Sequence, residues 1–269
     1  MGSNMPADRD SDHFSVAIDA HGVYYRLLNQ RVREAIARGE KEIYLKGVNG
    51  QYYIADGLRA RDVTIVIEGV PGNDLGAFMD GPTVIVKGNG QDNIANTMNS
   101  GKIVIHGHAG DVLGYGMRGG KLFVKGDVGY RVGIHMKGYK DQVPAIVIGG
   151  RAGDFFGEYM AGGTMVLLGM SSTRSGHLNG GPPLVGSFCG TGMHGGAIFL
   201  RGEADQNLRR SLGKEVGIVL PDEKDMELLR VLIGEFCEEF DIPKEEVFDR
   251  PFTKLIPVST RPYGNLYTY

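Results

Sequence analysis

Two glycine-rich segments of this sequence have the spacing of a nucleotide-binding loop. Residues 114–119 and residues 190–195 both read G-x-G-x-x-G. In dinucleotide-binding proteins this motif follows a strand and begins a helix, whose N-terminus holds the pyrophosphate. Here the residues that follow, 121–124 and 197–200, are strand-like runs of mainly apolar side chains. The motif therefore indicates glycine corners before strands and does not predict a nucleotide site.

Four histidines could act as metal ligands. His106 and His108 are two residues apart, and His135 and His194 follow further along the chain. Many histidine metal sites are completed by cysteines or carboxylates at a recognisable spacing. The sequence has no such cluster around these histidines, so we predict no metal site in this chain.

Two aspartates could act as acids or bases, but their positions favour another role. Asp111 and Asp154 each follow a corner glycine, where a short carboxylate accepts hydrogen bonds from the backbone amides of a turn. No Ser-His-Asp or Cys-His arrangement can be assigned from spacing. The sequence thus predicts no catalytic residue and no cofactor-binding residue in this chain.

The elements that carry these residues form a repeat. Methionine recurs at positions 79, 98, 117 and 136, which are intervals of 19 residues. Each repeat has one short β-branched strand that ends in glycine, often a second glycine three residues later, and a methionine ten residues after the first. These repeat-corner residues are Gly69, Gly88, Gly107, Gly126 and Gly150, then Gly110, Gly129 and Gly153, and then Met79, Met98, Met117, Met136, Met160 and Met193.

A period near 20 residues with one strand and several glycines per repeat is typical of a parallel β-helix, in which each repeat is one coil. The chain has 43 glycines, about twice the usual ~7% share, and we expect them at corners that require positive φ. The predicted fold class is all-β. It is a single-stranded, right-handed parallel β-helix of about seven turns with N- and C-terminal capping helices.

The strands are apolar on both faces. Alternate residues of each strand point into the β-helix, and those between them point outward. A strand that is apolar on both sides is usually covered on both sides, either by helices of this chain or by another protein. Because neither cover is favoured, we define a candidate partner face by the outward residues Val66, Ile85, Val104, Phe123, Val147, Val166 and Phe199.

The repeat divides the chain into four parts. We predict a disordered or tag-derived N-terminus (1–20), an N-terminal capping helix (21–41), the glycine-repeat β-helix (42–205), and a helical C-terminal cap with an extended tail (206–269). The cap includes an amphipathic helix over residues 222–240. An insertion before Cys189 is either a contact loop for a neighbour or a tolerated decoration.

Charge and composition exclude several classes of partner. A net charge of −3 and a pI near 6.2 argue against nucleic acid or an anionic membrane as the main partner. The sequence has no apolar run of about 18 residues, the length that would span a bilayer. Its two cysteines are too few for a disulfide framework. A cytoplasmic protein is expected.

Residues 149–169 and 190–196 resemble the glycine-repeat (GXGXG) domain that ends the large subunit of glutamate synthase. The most specific element is Glu-Tyr-Met-x-Gly-Gly at residues 158–163, and the resemblance extends over residues 25–205, with a further likeness at 252–257. Where the large-subunit domain typically has Arg-Asn-Ser-Gly-Ala, this chain has Ile-His-Met-Lys-Gly at residues 134–138. Contacts made by that stretch are therefore expected to differ.

The resemblance implies a right-handed β-helix without catalytic residues, flavin or iron–sulfur ligands of its own. In the full enzyme this domain braces the glutaminase domain against the flavin barrel. As a separate chain, it is expected to be a structural subunit with no activity alone, in a complex for glutamine-dependent amination of 2-oxoglutarate or a related amine transfer. The expected partners are glutaminase-like and FMN-binding synthase-like subunits, which would hold FMN and an iron–sulfur cluster; self-association into a homo-oligomer is left open.

Two alternatives come from other families. The same glycine repeat is similar to the C subunit of formylmethanofuran dehydrogenase, another β-helix without its own active site. A carbohydrate-active β-helix, like pectate lyases, is a remote alternative. Such enzymes line an outer groove with acidic and basic residues, whereas this chain has aliphatic residues on that sheet.

Overall fold

Strands that follow one another along the chain pair in parallel, each with the next, and build the predicted parallel β-helix. The computed structural model describes residues 14–170 and 183–258, and it has about six turns, slightly fewer than the seven predicted. The parallel strands of the described residues are β1 (Val16–Asp19), β2 (Glu42–Asn49), β3 (Thr64–Val70), β4 (Asp80–Val86), β5 (Ser100–Ile105), β6 (Lys121–Val124), β7 (Ala145–Ile148), β8 (Ala161–Leu167) and β9 (Gly195–Arg201).

The sheet ends differently at its two edges. At the N-terminal end, helix α1 (Tyr25–Ala37) buries Leu28, Val32 and Ala35 against the first coil and caps it. At the C-terminal end, strands β10 (Val216–Val219) and β11 (Phe252–Pro257) add to the sheet in the order β9, β11, β10, with antiparallel pairing. Three more helices are α2 (Gln206–Ser211), α3 (Glu223–Phe240) and α4 (Lys244–Val247).

Strand β1 corrects part of the prediction for the N-terminus. Residues 1–20 were expected to be disordered or tag-derived, yet Val16–Asp19 pairs in parallel with residues 43–46 of β2. The remainder of that prediction, residues 1–13, lies outside the described residues. So do most of the predicted contact loop and the end of the predicted tail, residues 171–182 and 259–269.

Inward-facing side chains of successive coils stack into ladders because the strands pair in register. One ladder runs from Ile65 through Val84, Ile103, Leu122, Ile146 and Met165 to Ile198. The repeat methionines form another, since Met79, Met98, Met117, Met136 and Met160 are fully buried and Met193 nearly so. A flexible thioether can fill the irregular spaces between the stacked branched side chains.

Helix α3 covers six of the seven residues of the candidate partner face, so these six are not open to a partner. Val104, Phe123, Val147, Val166 and Phe199 are fully buried in one cluster with Leu229, Ile233, Phe236 and Phe240 of the helix. Ile85 packs against this cluster, and Val66 is buried as well. Of the two covers considered, the chain's own helix is the one observed.

The position of α3 is fixed at its start and along its length. Asp222 and Asp225 form a reciprocal capping box at the N-terminus, and the backbone amide of Asp225 holds the pKa of Asp222 below its usual value. Across to the strands, Lys121 pairs with Glu235, Lys102 with Glu239, and Lys254 with Asp225. The predicted C-terminal helix therefore lies along the side of the solenoid, and does not cap its end.

Both cysteines are free and buried, and this leads to a testable prediction. Burial raises the pKa of the Cys189 thiol to about 12, and burial also raises the pKa of Cys237, which lies on the buried face of α3. Since only the thiolate attacks a disulfide reagent, we expect neither thiol to react with an aromatic disulfide reagent at pH 8. In denaturant both should react; rapid reaction in buffer, traced by mass spectrometry to Cys237, would contradict the covered position of α3.

Candidate functional site

Close approach between coils, more than positive φ, explains the repeat-corner glycines. Among the five strand-end glycines from Gly69 to Gly150, only Gly69 has a positive φ, of 116°, and Gly110, Gly129 and Gly153 have none. A Cβ atom at Gly150 would lie 2.2 Å from Oδ1 of Asp127 and 2.6 Å from the carbonyl carbon of Gly126. The predicted reason, positive φ, is therefore wrong for most of these positions.

The oxygen atoms that approach these glycines belong to ladders of short polar side chains. The carboxylate of Asp92 accepts from the amide of Asp111, and Asp111 accepts from the amide of Tyr130, each at 2.8 Å. Asp154 accepts from the backbone amide of Ser187 one coil later, also at 2.8 Å. In a second, parallel row, the side chains of Asn89, His108 and Asp127 each accept a hydrogen bond from a backbone amide of the next coil. Asp111 and Asp154 accept from backbone amides, as predicted, but the amides belong to the next coil and not to the turn that carries the aspartate.

Removing one member of this ladder should have a modest, specific effect. We expect Asp111→Ala to lower the free energy of unfolding by about 1–2 kcal/mol, because the amide of Tyr130 loses its acceptor. Asp111→Asn keeps an acceptor oxygen and should stay within about 0.5 kcal/mol of the parent. Urea unfolding of the three proteins tests this. Equal losses in the two variants would assign the effect to charge and not to the hydrogen bond.

Three residues of each coil adopt left-handed φ at alternate positions opposite the sheet. In the middle position, Gly76, Gly114 and Gly157 face the core, where a Cβ would lie 2.5 Å from the Cδ1 atom of an isoleucine of the ladder that runs from Ile65 to Ile198. The two flanking positions point outward and carry side chains in most coils. They are Tyr53, Asp74, Asn93, Val112, Arg131, Phe155 and Phe188, and then Gly57, Phe78, Thr97, Gly116, His135, Tyr159 and Gly192.

Aromatic rings form a row on this outer edge. The His135 ring meets Tyr115 edge-on at 5.8 Å and stacks on Tyr159 at 5.3 Å with an interplanar angle of 9°. Gly192 continues the row, and a Cβ there would lie 2.4 Å from the Tyr159 ring. Tyr115, His135 and Tyr159 remain exposed to solvent.

An ion pair joins this row to a second group of rings. The guanidinium of Arg131 binds the carboxylate of Glu158 at 2.6 Å and lies 4.7 Å from the centre of the Phe155 ring. Phe155 in turn stacks on Phe188 at 5.0 Å. The Glu158 side chain is 8% exposed and that of Arg131 is 45% exposed, so the pair anchors an arginine at the surface.

Two further cations belong to the same coils as Tyr115 and His135. Arg118 and Lys137 occupy equivalent positions in successive coils, since their amides donate to Met98 and Met117, the methionines of the coils before. Both side chains are exposed. We call the set Tyr115, Arg118, Tyr130, Arg131, His135, Lys137 and Tyr159 the aromatic edge.

The four histidines lie in separate environments. The His106 ring meets Phe240 edge-on at 5.2 Å, and burial lowers the pKa of its imidazole. His108 accepts a hydrogen bond from the backbone amide of Asp127, and His135 stacks on Tyr159. Nδ1 of His194 is 3.2 Å from the carbonyl oxygen of Gly192. Among the described residues, no three His, Cys, Asp or Glu side chains are grouped closely enough to hold a metal ion. The two G-x-G-x-x-G segments lead into β6 and β9, so both are followed by strands.

The helices of the described residues include none that is both long enough and apolar enough to cross a membrane.

Comparison with known proteins gives two findings. The family model described as the GXGXG motif matches residues 40–258, which extends from the end of α1 to the end of β11. An uncharacterized protein of Methanocaldococcus jannaschii is 49% identical over 258 residues, which cover 94% of this chain and 96% of that protein.

Proposed function

Because the chain belongs to the GXGXG motif family, the family of the C-terminal domain of the glutamate synthase large subunit, we propose that it is a non-catalytic assembly subunit of a glutamate-synthase-like complex. The observation that carries the proposal is the extent of the family match, which includes the whole array of coils and the helix that covers it. In this role the chain holds glutaminase-like and FMN-binding subunits together for the transfer of an amino group from glutamine.

The matched residues have mainly structural roles, which supports a scaffold. Methionine and branched side chains fill the interior, aspartates and asparagines join one coil to the next, and α3 closes the outward face. Many short-range contacts between neighbouring coils make a stiff rod, and a stiff rod can hold two proteins at a fixed separation. FMN and an iron–sulfur cluster belong to the partner subunits in this proposal, and the complex is cytoplasmic.

The experiment is to purify the untagged complex from the native host at low salt and to identify its subunits by mass spectrometry. We expect a flavin-barrel protein and a glutaminase-like protein in fixed ratio to this chain. Recovery of molybdenum or tungsten dehydrogenase subunits instead would favour the formylmethanofuran-dehydrogenase-type complex. The purified chain alone should neither hydrolyse glutamine nor bind flavin stoichiometrically, and either activity would overturn the non-catalytic role.

A further inference from the structure

We propose that the aromatic edge is the surface through which this chain binds an acidic face of a protein partner. The inference rests on the proposed function and adds to it the place of contact and the chemistry of the partner. It is carried by three observations: the backbone strain accepted at this edge, the types of side chain displayed there, and their charge.

The strain shows that these side chains are not needed to form the coils. A left-handed φ costs an L-residue roughly 1–2 kcal/mol relative to glycine. At the position held by His135 and Tyr159, with φ of 56° and 52°, other coils have Gly116 and Gly192. The fold therefore accepts glycine at this position, and the imidazole and phenol rings are present at a cost in stability. Bulky residues held in such conformations cluster at binding sites.

The side chains are those that dominate protein interfaces. Tyrosine and arginine are enriched among the residues that contribute most to binding, because they combine a large apolar area with a polar end. Tyr115, Tyr130 and Tyr159 are 42%, 53% and 40% exposed. Their neighbours limit their motion, because Tyr159 is stacked on His135 and Arg131 is held by Glu158. Rings and an arginine that are already positioned lose little conformational entropy on binding.

The charge of this edge is opposite to that of the whole chain. The chain has a net charge of −3, yet Arg118, Arg131 and Lys137 are exposed and lie within four residues along the chain of Tyr115 or His135, and Lys140 is exposed three residues after Lys137. Within the described part of the chain, the ion pairs do not include Arg118, Lys137 or Lys140. Asp141 is an exposed carboxylate beside them, and Glu158 is used by Arg131. Complementary charge steers association and selects the partner, so the matching face is rich in aspartate and glutamate.

Two variants and two controls test the surface in the complex assembled from the purified subunits. Tyr159→Gly removes a ring and relieves a strained φ; Thr97→Gly makes the same change at the equivalent position of another coil, outside the aromatic edge. Arg118→Glu with Lys137→Glu reverses two charges of the edge. Lys224→Glu with Arg230→Glu reverses two exposed charges on α3. The dissociation constant for each partner subunit is measured at low and at physiological salt.

We expect Tyr159→Gly and the Arg118/Lys137 pair each to raise the dissociation constant for one partner at least about tenfold. Both controls should stay within about threefold, and wild-type affinity should fall with salt because exposed charges are screened. The melting temperature of Tyr159→Gly should be close to the parent value, since relief of strain offsets the lost stacking. A purely structural role for Tyr159 predicts a lower melting temperature with unchanged affinity.

The outcomes separate this inference from the proposed function. If the wild-type chain joins both partners and the edge variants join them equally well, the inference is wrong and the assembly role stands. If the wild-type chain joins neither partner, both fail. Tight, salt-sensitive binding of a 20-nucleotide single-stranded RNA, lost in the edge variants, would overturn the protein partner in favour of nucleic acid.

Discussion

Replacing Phe123 with alanine is expected to lower the free energy of unfolding by about 3–5 kcal/mol. The Phe123 ring is fully buried on the outward face of β6 and meets the ring of Phe236 edge-on at 5.9 Å. Phe199 is buried in the same cluster, so the lost volume is enclosed by α3 on one side and by the sheet on the other. Chemical denaturation, with the reactivity of Cys237 as a local probe, measures the effect.

The control for Phe123 lies on the opposite side of the same helix. Val231 of α3 is 55% exposed, and Val231→Ala should change the free energy of unfolding by less than about 0.5 kcal/mol. An aspartate at position 123 should prevent folding, because it would bury a carboxylate in an apolar cluster. If Phe123→Ala left stability unchanged and only weakened association with another protein, the outward face would be a partner surface after all.

Replacing Gly150 with alanine is expected to lower the free energy of unfolding by more than about 3 kcal/mol. The φ of Gly150 lies outside the left-handed region, so a rule based on backbone conformation alone predicts little effect. The new Cβ, however, would lie 2.6 Å from the carbonyl carbon of Gly126 and 2.7 Å from the amide nitrogen of Asp127. These are backbone atoms of the preceding coil, and they cannot move without separating the two coils.

The control for Gly150 is a glycine with the opposite combination of properties. Gly50 has a φ of 78° and no heavy atom within 4 Å of a Cβ placed there. Gly50→Ala should therefore cost only the strain of a left-handed alanine, about 1–2 kcal/mol. Thermal or urea unfolding of both variants checks the order. A larger loss for Gly50→Ala than for Gly150→Ala would contradict the close-approach explanation.

Periodicity in the sequence predicted most of the fold, because each coil repeats the same alternation of apolar residues. The ladder from Ile65 to Ile198 and the buried methionines lie where the spacing places them. The helix predicted at residues 222–240 is also present, as Glu223–Phe240 with Asp222 as its cap.

The surface on which α3 packs could not be predicted from periodicity. The apolar stripe of α3 shows that the helix packs on something, and the outward residues Phe123 and Phe199 show that the sheet is covered, but neither pattern identifies the other as its partner. The contact between Phe123 and Phe236 joins residues more than 100 positions apart in the chain. Only the three-dimensional structure shows that this helix, and not a second protein, covers the outward residues.

The aromatic edge was missed because its residues have no apolar periodicity of their own. His135 and Tyr159 occupy equivalent positions of consecutive coils, where other coils have phenylalanine, threonine or glycine. The left-handed backbone at these outward positions is not encoded by residue type. The signal in the sequence was that two consecutive coils have a ring at a position where the coils on either side, with Gly116 and Gly192, have glycine.

The most direct test of the assembly role is the mass of the complex formed with and without this chain. Purified glutaminase-like and FMN-binding proteins from the same host are mixed, and light scattering after size exclusion gives the mass of each species. We predict one species that contains all three proteins when this chain is present, and separate species when it is omitted. A complex of the two other proteins that forms equally well without this chain, while this chain elutes alone, would contradict the proposed function.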